Sequence, residues 1–237
     1  RSFSSVLTSS LTCNTFIPPI KMHPHNRDVI YVGFNNAYIS YDKGQNWTML
    51  KFTTFNVEDL AIPEKNPSYT YVIDQRYAYS SLDSGATWDK FLLPLNQYDH
   101  KLAVDFNNPD IIYVTYTGYN DTCKVFKSMD RGATWQNLSL NLPNIPVNAI
   151  ELQYGYKSNG DTISGVYIGT DNGIYYLNDS LMAINAGWQR FGTGLPNVTI
   201  YDLAINYQAQ KLRAATYGRG LWEVDLYEIS NDVHVQL

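Results

Sequence analysis

Ser81-Leu82-Asp83-Ser84-Gly85-Ala86-Thr87-Trp88 decides the fold, because the chain writes it twice more. Ser40-Tyr41-Asp42-Lys43-Gly44-Gln45-Asn46-Trp47 precedes it and Ser128-Met129-Asp130-Arg131-Gly132-Ala133-Thr134-Trp135 follows it, all on the pattern S-x-D-x-G-x-x-W. The three Asp residues stand 41 and 47 positions apart, a period suited to one four-stranded blade of a β-propeller. In such a turn the Asp carboxylate accepts backbone N–H bonds, the Gly supplies a positive φ, and the Trp packs its indole between neighbouring sheets. One residue type recurring at one mechanical position reads as structural. Asp42, Gly44, Trp47, Asp83, Gly85, Trp88, Asp130, Gly132 and Trp135 are therefore assigned to the fold and not to catalysis.

Tyrosine-rich strands run in step with the boxes: Val29-Ile30-Tyr31-Val32, Tyr69-Thr70-Tyr71-Val72 and Ile111-Ile112-Tyr113-Val114. Further upstream in each unit lies another apolar strand, as in 57–62 and 101–106, so each unit reads as four short strands. A fourth unit, with strands at 147–152, 166–169 and 174–177, has a broken box: extra residues separate Asn178-Asp179-Ser180 from Trp188, which implies an enlarged turn. A fifth, from Ile200 to Val224, supplies three strands. Arg1-Ser2-Phe3-Ser4-Ser5-Val6-Leu7 resembles Gln189-Arg190-Phe191-Gly192-Thr193-Gly194-Leu195 and reads as the last strand of a blade. The organisation expected is a last strand at 1–10, blades at 11–53, 54–95, 96–144 and 145–197, a three-stranded blade at 198–229, and a tail at 230–237.

Composition agrees with an all-β chain. Twenty Tyr exceed the nine Phe and five Trp together, which favours pleated, half-buried surfaces and predicts little or no helix. A net charge of -5 with no basic run argues against nucleic acid and anionic membranes as partners. No stretch approaches the roughly 18 apolar residues of a spanning helix, so no membrane insertion is expected. The chain begins without Met and without the apolar run of a signal peptide, which leads us to expect a leader or larger region before it. Cys13 and Cys123 have no metal-like spacing and form either one disulfide or two free, buried thiols.

With three intact boxes, the chain resembles the Asp-box, or bacterial neuraminidase repeat, propellers, a group that includes sialidases, xyloglucan-degrading hydrolases and sortilin-type receptors. The stretch from Gly192 through Trp222 is similar to the closing blade of large secreted proteins of Bacteroidetes. That likeness implies export to the cell surface or beyond, through the type IX secretion modules that often follow such propellers. Propellers with this motif usually have more than five blades. The resemblance thus implies that Arg1–Leu7 completes a blade lying before this chain, although it could instead close the fifth blade of a five-bladed ring. The Arg-Ile-Pro motif of sialidases is absent, and Arg76, Arg131, Arg190, Arg213 and Arg219 form no recognisable triad.

In a four-stranded meander the 2–3 and 4–1 loops share one end of the sheet, opposite the boxes and the 1–2 turns. The 2–3 loops carry Asn35, Asn36, Asp74, Arg76, Tyr116, Tyr119, Asp171, Asn172, Tyr217 and Arg219, and the 4–1 loops carry Phe55, Tyr98, Asp99, His100 and Asn144. Glycan hydrolysis needs two carboxylates flanking the scissile bond, and Asp74, Asp99 and Asp171 are the candidates at that end. Tyr116, Tyr119, Arg76, His100, Tyr217 and Arg219 are the candidate ligand-binding residues, since rings and polar groups can receive sugar without a reaction. His23 and His25 lack the complement of a metal site, so neither metal nor cofactor is expected.

N-x-S/T triplets stand at Asn46, Asn120, Asn137, Asn178 and Asn197, and Asp161-Thr162-Ile163 and Asp179-Ser180-Leu181 resemble a bacteroidete O-glycosylation pattern. With no catalytic constellation, the expected function is a non-catalytic module of a secreted or surface protein that binds polysaccharide or protein or acts as a scaffold. The alternatives are a fragment of a xyloglucanase-like glycoside hydrolase and a sortilin-like peptide receptor. Missing blades or other domains of a parent protein are the further expected partners.

Overall fold

The computed structural model describes residues 18–50, 56–97, 100–119, 122–157, 162–227 and 233–234. Arg1–Leu7 and Cys13 lie outside them; Cys123 is half-buried and not disulfide-bonded. The chain is all-β, with one five-residue helix among the described residues, and its antiparallel sheets are propeller blades. The first sheet is β1 (Ile20–His23), β2 (Asn26–Gly33), β3 (Ala37–Ser40) and β4 (Thr48–Met49). The second is β5 (Asp59–Ala61), β6 (Thr70–Ile73), β7 (Tyr77–Ser81) and β8 (Asp89–Leu92). The third is β9 (His100–Val104), β10 (Ile112–Tyr116), β11 (Val125–Ser128) and β12 (Gln136–Asn137). The fourth holds β13 (Val147–Lys157), β14 (Thr162–Thr170) and β15 (Gly173–Asn178), then α1 (Asp179–Ala183) and β16 (Gln189–Phe191). The fifth is β17 (Ile200–Asn206), β18 (Lys211–Thr216) and β19 (Gly220–Asp225). From β1 to β19 the strands follow chain order within each sheet. Where a tail was expected, β20 (Val233–His234) pairs instead with the end of β13, which is long enough to offer Tyr156 and Lys157 as partners.

The chain divides into two compact units, residues 1–112 with 128–135, and residues 113–127 with 136–237. In the first, Val29, Tyr31, Ile39, Leu50, Val57, Leu60, Val72 and Tyr79 form one buried cluster with Trp88 packed against it. The sheets approach closely at Gly33, where a Cβ would stand 2.4 Å from Val57 Cγ1. Asp59 is buried because both its oxygens are used, one accepting from Leu60 N and the other from Leu102 N.

All three boxes belong to this unit and are built alike. Ser81 Oγ donates to Asp83 Oδ1 (2.8 Å) and accepts from Gly85 N (2.8 Å), while Asp83 also accepts from Thr87 N (2.8 Å) and Thr87 Oγ1 (2.6 Å). Ser128, Asp130, Gly132 and Thr134 repeat the network, and in the first box Asn46 takes the part of the threonine through its Nδ2. Lys43, Ser84 and Arg131 adopt φ of 60°, 57° and 63°, and the following Gly44, Gly85 and Gly132 adopt 86°, 90° and 102°. The N–H of each left-handed residue donates to the carbonyl of Asp28, Ser68 or Asp110, just ahead of or at the start of the second strand. Box turns and 1–2 turns therefore share one end of each sheet. Trp88 Nε1 donates to Gly85 O, whereas Trp135 Nε1 reaches Leu92 O of β8, so the third indole does bridge to the neighbouring sheet.

In the second unit, Tyr167, Tyr176, Ile174, Ile200, Leu203, Leu212 and Ala214 make the core, with Phe191 and Tyr227 against them. Gly169 allows the approach of β17, since a Cβ there would stand 2.6 Å from Ile200 Cγ2. Tyr167 keeps its hydroxyl satisfied by donating to Gln153 Oε1 and accepting from Tyr227 N, and burial pushes its pKa up. The enlarged turn after β15 is α1: Asn178 caps it by accepting from Leu181 N at 2.8 Å. Trp188 is buried, whereas the box tryptophans Trp47, Trp88 and Trp135 are half-buried, and its Nε1 donates to Leu138 O at 2.7 Å.

Two outcomes follow from the box geometry. Gly85→Ala places a Cβ at φ 90°, 2.8 Å from Leu50 Cδ2, and is expected to lower the unfolding free energy by about 1–3 kcal/mol, whereas Ser84→Gly changes it by less than about 1 kcal/mol. Urea midpoints measure both. The Thr87 hydroxyl and N–H hold the Asp83 carboxyl down to about 2, below its ordinary 3.8. A depressed carboxyl stabilises the fold fully above the unfolded value and loses that contribution as the pH falls through the folded one, so the Asp83 share of stability disappears between pH 4 and 2. Asp83→Asn should make acid unfolding less steep in that window.

Candidate functional site

The 2–3 turns lie opposite the boxes. Those of the first unit are residues 34–36 and 74–76, and those of the second are 117–124, 171–172 and 217–219.

In the first unit, Asp74 is buried and committed. Its Oδ1 accepts from Arg76 N (2.8 Å) and Tyr77 N (2.7 Å), and its Oδ2 from the Tyr79 hydroxyl (2.9 Å). This Asx-type turn leaves the carboxylate no face toward a substrate. Arg76 is exposed, with its guanidinium 5.6 Å from the Tyr77 ring, where Lys90 Nζ also sits at 3.7 Å. His100 corrects the sequence reading. It is the first residue of β9 and 1% exposed, not a loop residue offered to ligand, because the strand starts there and turns the imidazole inward. Burial pushes its pKa down to about 4, against an upward pull from Asp74. Asp99, Tyr98 and Phe55 lie outside the described residues.

In the second unit, Tyr116 is also corrected: it ends β10 with its side chain fully buried against Phe126, and the loop begins only after it. Tyr119, three residues on, is 72% exposed. Its hydroxyl donates to Asp171 Oδ2 at 3.3 Å, and Asn148 Nδ2 donates to Asp171 Oδ1 at 2.9 Å, so this carboxylate too has both oxygens engaged. The loop that presents Tyr119 is closed from inside by Lys124, a buried lysine whose ammonium donates to Gly118 O while its carbonyl accepts from Tyr116 N. At the same end of the fifth sheet, Tyr217 and Tyr201 are 69% and 57% exposed with ring centroids 5.8 Å apart, and Arg219 is exposed beside them.

Asn148 and Tyr201 were not singled out in the sequence, and one backbone device places both. In β13, Val147 pairs with Thr170 and Ala149 with Gly169; in β17, Ile200 pairs with Thr216 and Asp202 with Ala215. Each strand thus carries one extra residue at the equivalent point, Asn148 in one and Tyr201 in the other. A bulge leaves its extra residue out of the ladder and re-aims the side chain. Here each is turned to the adjacent 2–3 turn, Asn148 to Asp171 and Tyr201 to Tyr217. The sequence signal is faint: a polar or aromatic residue breaking the alternation next to a buried Val147 or Ile200.

Among the described residues, no three His, Cys, Asp or Glu side chains converge as a metal site would require, and no helix is long and apolar enough to cross a membrane. The loop end of the second unit offers aromatic faces, amides and the Arg219 guanidinium, which can stack on and hydrogen-bond to a ligand.

The imidazole of His100 gives a pH dependence of definite sign. A base whose folded pKa is depressed binds fewer protons folded than unfolded. Its contribution is therefore present above about pH 6.5 and lost as the pH falls through about 4. Unfolding free energy should decline over that interval, and His100→Gln should flatten the decline in a chemical-denaturation series.

Comparison with known proteins places these observations. The Sortilin-Vps10 model, described as sortilin, neurotensin receptor 3, matches residues 35–176. A 73-residue stretch is 37% identical to vacuolar protein sorting/targeting protein 10 of Komagataella phaffii, covering 28% of this chain and 5% of that protein. Among solved structures, the GH74 xyloglucanase from Xanthomonas campestris superposes with a TM-score of 0.64 at 15% identity, over 90% of this chain and 37% of that one. The extracellular domain of a hybrid two component system from B. thetaiotaomicron gives 0.60 at 14% identity, over 90% and 28%. At such identities the structural likeness is one of fold, and this chain spans well under half of each of those proteins. The matched stretch 35–176 takes in all three boxes and more than half the chain, which belongs to the Sortilin-Vps10 family.

Proposed function

We propose that this chain is a non-catalytic binding module of a secreted or cell-surface protein, taking a polysaccharide or protein ligand on the loop end of its second unit. The observation that carries the reading is the pair of equivalent bulges, which aim Asn148 and Tyr201 at that end, where Tyr119, Tyr201 and Tyr217 are exposed. Exposed, hydrogen-bond-capable rings are the groups that anchor ligands with little loss of side-chain freedom. The state of these carboxylates supports binding over hydrolysis: Asp74 has both oxygens occupied by donors from its own turn and the strand after it, and Asp171 has both occupied by Tyr119 and Asn148. A glycoside hydrolase needs one carboxyl free to donate a proton and another free to attack or to activate water.

Family membership favours a protein segment over a polysaccharide, since the family description is that of a neurotensin receptor. The same membership, and the extracellular domain among the similar structures, favour placement outside the cell. The acidic balance argues against nucleic acid as a partner.

Peptide-library and glycan-array binding of the full chain, with an assay for reducing-sugar release from plant polysaccharides, tests the proposal. The expected result is binding without release, weakened about 10-fold or more by Tyr201→Ala with Tyr217→Ala at unchanged thermal stability. Release of sugar that disappears in Asp171→Asn would make the chain part of a hydrolase.

A further inference from the structure

The N-x-S/T triplets have no part in that reading, and the fold separates them sharply. Asn178 is buried: its Oδ1 caps α1 and its Nδ2 lies 3.4 Å from the Tyr176 hydroxyl in the core. Asn137 Nδ2 donates to Thr122 O at 2.6 Å, and its Oδ1 accepts from Ser139 N. Asn46 Nδ2 is the first box's ligand for Asp42 Oδ2, at 2.6 Å. Asn120 lies outside the described residues.

Asn197-Val198-Thr199 is different. It lies in the connection from β16 to β17, with Asn197 exposed. Arg190 Nη2 donates to Asn197 Oδ1, which holds the amide by its oxygen, and Nδ2 donates to no group among the described residues. The triplet is pinned at the loop end by its own carbonyls: Val198 O accepts from Gly173 N at 3.2 Å and Thr199 O from Tyr217 N at 2.9 Å. Earlier in the same connection the chain is open too: a Cβ on Gly194 would meet nothing within 4 Å and one on Gly192 only Leu195 Cβ at 3.9 Å.

We infer that Asn197 is an acceptor of N-linked glycan. In the transfer, a bond forms between Asn197 Nδ2 and the anomeric carbon of an oligosaccharide carried on a lipid diphosphate. The bond from that carbon to the diphosphate breaks, the lipid diphosphate leaves, and one Nδ2 proton passes to the transferase. The chain meets the transferase extended, so the native fold decides which decorated chains can complete folding. A glycan on Asn178 would have to enter the core, whereas one on Asn197 stands in solvent. This assignment rests on the extracellular placement proposed above and on no feature of the ligand. Its consequence for the loop end is steric: the glycan stands next to the strand that carries Tyr201 and the turn that carries Tyr217.

The test is peptide mass mapping of the full chain secreted from a eukaryotic host, before and after release of glycans by an amidase that converts the linked Asn to Asp. Glycan on the Asn197 peptide and none on the Asn178 peptide is the expected result, with loss of the Asn197 glycan in Thr199→Ala and its retention in Thr199→Ser. An Asn197 peptide found unmodified in the secreted chain overturns the assignment, whether every triplet is empty or another carries the glycan. Ligand binding is measured on the amidase-treated chain, so failure of the binding reading registers separately from failure of the glycan assignment.

Discussion

Everything in the first unit depends on how an aspartate carboxylate closes the turn between the third and fourth strands. Five consecutive positions from the Asp must turn through one left-handed residue and one glycine, leaving several N–H groups without a strand partner. Asp42, Asp83 and Asp130 satisfy them, each steadied by a serine hydroxyl that donates to the carboxylate and accepts from the glycine N–H. Satisfaction of this kind is what allows a tight turn to hold its shape without a large core beneath it. The left-handed residue then ties the turn to the start of the second strand. One end of each sheet is thereby fastened by local bonds, and the other end is released to vary.

The second unit reaches the same end by other means. Its fourth sheet has no box; an asparagine-capped helical turn replaces it, and Trp188 still finds the carbonyl of Leu138. Tyrosine carries much of the load in this unit. Tyr167 and Tyr176 lie with ring centroids 4.7 Å apart, Tyr176 and Tyr227 at 4.4 Å, and Tyr154 and Tyr207 likewise pair. Their buried hydroxyls are joined to backbone or amide groups, so a tyrosine-rich core needs no unsatisfied oxygen. The surplus of tyrosine therefore divides between core and surface, and burial separates Tyr116 from Tyr119 within three residues of each other.

A Sortilin-Vps10 chain whose fold is shared with xyloglucanases shows how little a propeller commits to one chemistry. What distinguishes the uses is the state of side chains at the loop end. Here Asp74 and Asp171 have their oxygens engaged by neighbouring donors, while Tyr119, Tyr201 and Tyr217 are left outward.

The sequence by itself determined the repeat, the strand periodicity and the end of the sheet to examine, because each rests on local chemistry: a carboxylate, a glycine and an alternating strand act within a few residues of one another. It also placed Tyr119, Tyr217 and Arg219 correctly on turns. Only the tertiary structure decided which candidates face outward. Tyr116 and His100 differ from them not in residue type but in where a strand begins or ends, a matter of pairing with residues far along the chain. The bulges at Asn148 and Tyr201 are likewise invisible locally, since an extra residue is extra only in relation to the strand opposite. Among the glycosylation triplets, too, the motif is the same at Asn178 and Asn197, and burial alone sets them apart.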